Sequence, residues 1–513
     1  MTKFYLTTPI YYVNDVPHVG HAYTTIATDV LARYHRSRGN DVFFLTGTDE
    51  HGAKVAEAAA SHGKTPGEFV DEIVGHFRSA WQQLDISNDY FVRTSDARHE
   101  AGVSAFLQKW YLSGDIYKGI YQGLYCVGCE RFYSEDELVD GVCPDHLVPP
   151  IAYSEENYFF RLSKYQDILI QAITDPNDPN HFDIQPVSRR NEILGKLRLG
   201  LQDLSISRGN LAWGVPLPFD TSHTAYVWVD ALLNYITAIG YGDNPETFAR
   251  YWPADLHLMA KEILWFHTVI WPAMLISNGV AVPKKVYAHG YFTINGRKMS
   301  KSLGNVIAPS ELVERYGSDA TRYLLLSEFP FGVDGNISFD SFNNRYNSDL
   351  ANDLGNLLNR SISMVNRYFE GRILETTSAV TEIDRELRES AVGLAALVER
   401  SFANLEFSIA LEAIRTVVSK ANRYVEVTQP WTLAKTDRER LALVLGGLLR
   451  TIRLVAIELQ PVMPNSIAGL FRQLGLSAET PGGRSWDDVP GDAQVAKTPV
   501  PLFPKIDVTS AGT

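Results

Sequence analysis

The sequence has no unbroken apolar run long enough to cross a bilayer. Its best stretch, Leu441 to Leu459, is interrupted by Arg450 and Arg453. It falls short of the ~18 uninterrupted apolar residues that a span requires and is expected as an amphipathic core helix. No secretory leader is expected, because the N-terminal apolar residues alternate with polar ones as in a strand. A cytoplasmic protein without membrane attachment is the expectation. Internal repeats and low-complexity tracts are lacking, so a repeat array is excluded. Positive charge is in deficit: 47 Lys+Arg against 60 Asp+Glu give a formal net charge of −13. That argues against a protein that coats nucleic acid, but a local basic patch can still oppose the global sign. Cysteine is scarce, with three in 513 residues. An odd count in a cytosolic setting does not suit a disulfide framework.

What is present is an ordinary globular composition, 45% hydrophobic and 21% charged, in a chain long enough for two to four domains. The strand-like run Phe4 to Tyr12, the helix-like Thr24 to Arg38 and the strand-like Asp41 to Thr46 form a βαβ pattern. Helical periodicity follows from Ala53 to Leu84. Residues 115–225 change character, with short strand-like pieces, Gly, Pro and all the cysteines. The α/β pattern then resumes with Leu256 to Met259, a helix over Glu262–Ser277 and a strand over Lys285–Ile294. One parallel sheet interrupted by an excursion is implied. From about Asn343 the pattern is helical: Leu350–Phe369, Ile383–Ala403, Ser408–Val427 and Arg438–Leu459, broken at Gly371 and at Gln429-Pro430. These helices predict an antiparallel bundle, with the segment from Pro481 either wrapping it or fraying.

Two strings carry chemistry. Pro17-His18-Val19-Gly20-His21 sits at a strand-to-helix turn, where free N–H groups and the helix dipole favour phosphate. Gly20 has no Cβ, so a ligand can approach the main chain. Lys298-Met299-Ser300-Lys301-Ser302 puts two cations on a small polar loop that could close over a triphosphate. If a carboxylate attacks the α-phosphorus of ATP, the nucleophile is already ionised and no general base is needed. The task is to position the reactants and stabilise charge on phosphorus and the departing pyrophosphate. Imidazoles at His18 and His21 and ammonium groups at Lys298 and Lys301 suit that task.

The cysteines supply a second pattern. Cys126-Val127-Gly128-Cys129 and Cys143-Pro144-Asp145-His146 are two C-x2-ligand knuckles, the spacing of a tetrahedral Cys3His zinc site. Four protein ligands leave no open position, so one structural Zn2+ per chain is expected.

In this order, the two strings resemble the signatures of class I aminoacyl-tRNA synthetases. The residues between and beyond them resemble methionyl-tRNA synthetases, from Tyr5 to about Pro504. The resemblance implies a Rossmann-like α/β parallel sheet with a zinc-binding insertion, followed by an all-α anticodon-binding helix bundle. Residues 1–114 and 226–342 would be the catalytic halves, 115–225 the insertion and 343–513 the anticodon-binding domain. It implies activation of L-methionine by ATP, accompanied by Mg2+, to methionyl-adenylate and pyrophosphate. Transfer to the 3'-terminal adenosine of initiator and elongator tRNA(Met) would follow. Lys301 and Lys298 would contact the phosphates, with His18 and His21 stabilising the transition state and Gly20 beside them.

The segments Thr224–Ala231 and Trp265–Pro272 resemble family segments that line the methionine pocket. By that resemblance Ile10, Tyr12, Trp228, Ala231, Leu232, Tyr235, Phe266, His267 and Trp271 surround the side chain, where a polarizable thioether suits an aromatic-lined cavity. Core packing is the ordinary alternative for each aromatic. Asp49 would pair with the substrate ammonium, or else cap the helix that follows. Where the family commonly has Gly-Lys-Asp near the ATP ribose, this chain has Ala260-Lys261-Glu262, which adds a methyl and a methylene at the expected nucleotide contacts. No room exists for the editing domain of the leucyl, isoleucyl and valyl enzymes. The cysteinyl enzyme's zinc is catalytic, whereas this cluster lies wholly in the insert.

In the helical part, Asn352, Asn356 and Arg360 form one polar stripe, and Pro430-Trp431 follows a helix break. A solvated face and a core aromatic are the ordinary alternatives. Both segments resemble the anticodon-reading face of the family, where an indole stacks on an unstacked base. Leu502 to Asp507 resembles the point at which many relatives continue into a dimer-forming domain, so a monomer is expected. A small-molecule nucleotidyltransferase and a catalytically silent tRNA-binding paralogue are the competing readings.

Overall fold

The computed structural model describes residues 2–126, 128, 131–133, 135–144, 146–209, 211–294, 296–299, 304–372, 378–477, 483–488 and 493–507. They form two compact units. The first comprises the described residues of Met1–Pro17, Ala32–Gln82 and Ile86–His289, and the second those of His18–Leu31, Gln83–Asp85 and Gly290–Thr513. Among the described residues no helix is long and apolar enough to cross a membrane.

The first unit is built on a seven-stranded sheet in the order Tyr11–Tyr12, Asp41–Asp49, Lys3–Thr7, Leu256–Ala260, Lys285–His289, Asp183–Gln185, with Tyr90–Arg93 also pairing with Asp41–Asp49. Every pairing is parallel. The apolar run at the N-terminus becomes two strands, Lys3–Thr7 and Tyr11–Tyr12, because Pro9 between them has no N–H for a ladder. From Lys3–Thr7 the chain proceeds first to a neighbour on one side, Asp41–Asp49, and only later to one on the other, Leu256–Ala260. That reversal of strand order creates a switch point at the strands' carboxyl ends, where open α/β sheets bind ligands. Tyr5, Leu45, Phe106, Trp110, Ile184, Tyr235, Trp271 and Val286 belong to one continuous buried core.

Residues 116–126 and 151–160 form a long antiparallel ribbon, in a four-stranded sheet with Arg131–Tyr133 and Leu204–Ser205. One piece of the stretch expected to be an excursion does more. Asp183–Gln185 returns to pair with Lys285–His289 at the edge of the parallel sheet. Its three residues are too few to give a period, so sequence could not reveal that partner.

The strand expected over Lys285–Ile294 proves to be two, Lys285–His289 in the first unit and Phe292–Ile294 in the second. Gly290 separates them. A Cβ there would lie 2.3 Å from the carbonyl carbon of Val333, a space only glycine leaves open. Phe292–Ile294 pairs instead with Arg297–Lys298 and Gly335–Ile337. Helices Glu382–Ala403, Phe407–Thr428 and Arg438–Leu459 pack together as a bundle. The described C-terminal residues wrap it: Phe503 and Val495 are buried, and Asn366 Nδ2 donates to the Ala496 carbonyl at 2.8 Å. Arg453, one of the two cations in the apolar stretch, is buried and donates to the carbonyls of Gly483 and Ser485, both at 2.5 Å. Arg322 and Asp29, both 0% exposed, form an ion pair at 2.6 Å. Arg322 also donates to the carbonyls of Val462, Leu84 and Pro461 at 2.7, 3.1 and 2.9 Å.

Candidate active site

Where Lys3–Thr7 ends beside Leu256–Ala260, polar groups on the two neighbouring strands meet at the switch point. Thr7 Oγ1 lies 2.8 Å from His257 Nδ1, and Trp271 Nε1 donates to His257 Nε2 at 3.4 Å. A ring nitrogen that accepts from an indole carries no proton, so the His257 proton sits on Nδ1. His267 is fixed in the same way. Its Nδ1 lies 2.9 Å from the Ile263 carbonyl and must donate there, leaving Nε2 to accept from the Tyr235 hydroxyl at 2.7 Å. Burial lowers the His267 pKa to about 4, against the pull of the Ile263 carbonyl. The His257 value is also well below normal, through burial and then His267. Both imidazoles are neutral near pH 7, so neither places a cation in this pocket.

Around them stand the aromatic residues singled out by the sequence. Trp228 stacks on Phe266 with centroids 3.9 Å apart and planes at 12°. Tyr235, Trp271, Ala231 and Leu232 are buried, and Ile10, Tyr12, Trp228 and Phe266 are half-buried against the same core. The helix expected over Glu262–Ser277 is three pieces: a 3-10 turn at Lys261–Ile263, a π-helix at Phe266–Ile270 and an α-helix at Trp271–Ser277. Pro272 has no N–H to return to the Thr268 carbonyl four residues back, so the α-ladder cannot run through. Ala260 ends its strand, and Glu262 is exposed in the 3-10 turn.

Asp49 ends the strand Asp41–Asp49, opposite Tyr12 in register, and is 6% exposed. The following helix, Ala53–Ser61, has Gly52 at its N-cap, so capping is not Asp49's task. Burial raises the Tyr235 hydroxyl pKa well above normal; Asn234 opposes this, and the Tyr11 and Asp49 charges reinforce it. Next to Asp49 lies a set that sequence reading did not find. Glu50 is 0% exposed and receives Arg93 Nε at 2.8 Å and Nη2 at 2.9 Å. Asp230 accepts from His51 at 2.7 Å and His99 at 3.0 Å. Charged residues inside apolar segments were the available signal, but their pairing needs the fold.

His18 and His21 lie in the second unit. The helix begins at Val19, five residues earlier than its periodicity suggests, so His21 is in its first turn. The two imidazoles stack at 3.8 Å. Gly20 N–H donates to His18 Nδ1 at 3.1 Å and His18 N–H to His21 Nδ1 at 3.2 Å. Both Nδ1 atoms therefore accept, and both protons reside on Nε2. The space left by Gly20's missing Cβ is taken by His18 itself: a Cβ would lie 2.9 Å from its Cε1, with Met299 Cε at 3.6 Å. Burial lowers both pKa values, and for His21 the neighbouring His18 adds to it. Two neutral rings thus each present one Nε2–H donor. Lys298 lies in the strand Arg297–Lys298, but its side chain and the whole of Lys301 fall outside the described residues.

Cys126 and Cys143 are buried thiols, and with His146 their ligand atoms all lie within 4.8 Å. Cys143 Sγ and His146 Nδ1 are 3.9 Å apart. Cys129 lies outside the described residues. On the helical part, Asn352 and Asn356 are exposed and Arg360 is half-buried. Asn352 falls in a second π-helix, Tyr346–Gly355, ahead of the α-helix Asn356–Phe369. Pro430 is buried at the start of Pro430–Thr436, and Trp431 is 45% exposed, so its indole is not a core group.

Known proteins match the chain throughout. The family profile described as "tRNA synthetases class I (M)" matches residues 4–149 and 147–362. That of the "Anticodon binding domain of methionyl tRNA ligase" matches 375–507. The methionine–tRNA ligase of Caldanaerobacter subterraneus subsp. tengcongensis is 49% identical over 98% of this chain and 79% of its own length. That of Thermotoga maritima is 48% identical over 98% and 80%. Among solved structures, Mycobacterium tuberculosis methionyl-tRNA synthetase in complex with methionyl-adenylate superposes with a TM-score of 0.93. It is 42% identical and covers 98% of this chain and 100% of that one.

Proposed function

The chain belongs to the methionyl-tRNA synthetase family of class I, and from that membership we propose how its residues divide the work. It is a methionine–tRNA ligase. L-Methionine and ATP give methionyl-adenylate and pyrophosphate, and the methionyl group then passes to the 3'-terminal adenosine of tRNA(Met). The full-length likeness to methionine–tRNA ligases carries this conclusion. Residues 1–114 and 226–342 act as the catalytic halves, 115–225 as the connecting insertion and 343–513 as the anticodon-binding domain. It acts, in this reading, as a single copy on initiator and elongator tRNA(Met) in the cytoplasm.

In the first step the methionine carboxylate attacks the α-phosphorus, and the bond to pyrophosphate breaks. Asp49 pairs with the substrate ammonium, and the thioether lies among Ile10, Tyr12, Trp228, Ala231, Leu232, Tyr235, Phe266, His267 and Trp271. The neutrality of His267 supports this, since an apolar, polarizable chain gains nothing beside a buried cation. The family likeness assigns Gly20, Ala260 and Glu262 to ATP, which magnesium would accompany. His18 and His21 donate from Nε2 to the phosphate oxygens, and Lys298 and Lys301 neutralise the departing pyrophosphate.

Anticodon recognition falls to Asn352, Asn356, Arg360, Pro430 and Trp431, supported by the exposure of Trp431. Base stacking on an aromatic is worth ~1–3 kcal/mol. Trp431→Ala is therefore expected to lower kcat/KM for aminoacylation by about 5- to 150-fold. Methionine-dependent ATP–pyrophosphate exchange should stay unchanged. A variant that loses exchange along with aminoacylation would make Trp431 a folding residue. Absence of methionine-dependent exchange in the unaltered protein would overturn the enzymatic reading.

Cys126, Cys143 and His146, with Cys129, would hold a structural zinc. Soft thiolates and an imidazole suit that ion, and two such ligands on a tetrahedral zinc lie about 3.6 Å apart, near the observed 3.9 Å. A Cβ on Gly128 would stand 2.6 Å from the His146 ring, so this glycine admits the imidazole. Zinc held there would close the knuckle as a structural ion. His146→Ala should lower zinc content and increase proteolysis within 115–160; full zinc retention would refute the ligand set.

A further inference from the structure

We infer that Asp230 is a positioning residue for methionine, holding the strand end that carries Asp49 in register with the helix that carries Trp228, Ala231 and Leu232. This rests on the reading of those residues as the methionine site. Asp230 is 1% exposed, and both its oxygens are occupied. His51 Nδ1 donates to Oδ2 at 2.7 Å, and His99 Nε2 to Oδ1 at 3.0 Å. His51 follows Asp49 by two residues, and Asp230 follows Trp228 by two. A single carboxylate therefore ties the ammonium end of the pocket to its thioether end. His99 extends the tie, since its Nδ1 is 2.8 Å from Thr237 Oγ1, two residues beyond Tyr235.

The rest of the strand end is clasped as well. Trp213 Nε1 donates to the Glu50 carbonyl at 2.6 Å, and Gly52 N–H to the Trp213 carbonyl at 3.2 Å. Thr48 Oγ1 donates to Glu50 at 2.6 Å. Thr48, Glu50, His51 and Gly52 thus all have partners, and Asp49 takes its place from them. A pocket that grips an ammonium and a thioether at once depends on the distance between its two grips, so a small slip costs binding.

The clamp also has a charge state. Burial opposes a cationic His51, but Asp230, with Glu100 at 3.7 Å and Glu50 nearby, raises its pKa above the ordinary value. Asp230 would itself be raised by burial, but His51 and His99 hold it at about 2. The Trp213 ring, 5.4 Å from His51, adds no charge. The His51–Asp230 ion pair is fully formed below the ordinary histidine pKa, and its charge attraction is lost as pH rises through the raised one, leaving the neutral Nδ1–H hydrogen bond.

The test is steady-state exchange kinetics on the full chain across pH 6–10. Asp230→Asn should raise the methionine KM about tenfold, leave the ATP KM within about twofold and move the alkaline rise in methionine KM to lower pH. His51→Asn keeps a donor at the Nδ1 position but no charge, so at every pH it should show the methionine KM that the original reaches above its alkaline rise; His51→Ala should behave like Asp230→Asn. An unchanged methionine KM in Asp230→Asn, or equal losses for methionine and ATP, would overturn the inference. Should Asp230→Asn fail to fold, equal methionine KM values for His51→Asn and His51→Ala would overturn it. Asp49→Ala, run in parallel, separates the two levels. If that variant binds methionine normally, the site reading falls and this inference with it; if it alone is impaired, only this inference falls.

Discussion

His21→Asn is expected to lower methionine-dependent ATP–pyrophosphate exchange by about 10²- to 10³-fold, the cost of removing one preorganised donor to a developing anion. The substitution is chosen for its geometry. An asparagine amide reaches the position of Nδ1, so it can still accept from the His18 N–H that His21 accepts at 3.2 Å. It has no atom where Nε2 stands. The turn is kept and the donor is lost. Glutamine places an amide N–H near Nε2, so His21→Gln should recover about tenfold of that loss. Methionine affinity, measured by equilibrium binding, should stay within about twofold, because a group that acts only in the transition state does not hold the ground state. An Asn variant within about threefold of the original rate would show that the Nε2 donor is not used.

Asp29→Ala should destabilise the protein by about 3–5 kcal/mol, the usual cost of leaving a buried charge without its partner. Arg322 would keep three backbone carbonyls but lose the Asp29 carboxylate at 2.6 Å, and at 0% exposure it cannot turn to water. The unfolding midpoint in urea should drop accordingly at unchanged slope. Replacing a buried pair by apolar residues is often neutral, but here it should not be. Asp29→Leu with Arg322→Met would also orphan the carbonyls of Leu84, Pro461 and Val462, each at about 1–3 kcal/mol. A double variant as stable as the original would mean that those carbonyls find other donors.

Long amphipathic elements were legible in the sequence. The helix expected over Arg438–Leu459 has those bounds, Glu382–Ala403 starts one residue before expectation, and Phe407–Thr428 extends one residue beyond it at each end. Each repeats its apolar stripe over 22 residues, enough to fix a period. The two π-helices were not legible, because they interrupt the α-ladder without changing the apolar pattern. Both carry residues assigned to sites, His267 in one and Asn352 in the other. The break at Gly290 was equally hidden, since what forces it is the backbone of Val333.

By itself the sequence determined the kind of chemistry. It provides two imidazoles at a strand-to-helix turn, two lysines on a polar loop, thiols at knuckle spacing and aromatics to suit a thioether. Those are properties of residue types and local spacing. The tertiary structure alone decided their states: which nitrogen of His18 and His21 keeps its proton, that His267 is neutral, and that Asp230 is ionised between two histidines. Proton position and charge depend on burial and on partners such as His51 and Asp230, 179 residues apart in the chain. No local pattern encodes such a neighbour, because the interaction exists only after the sheet has brought the two segments together.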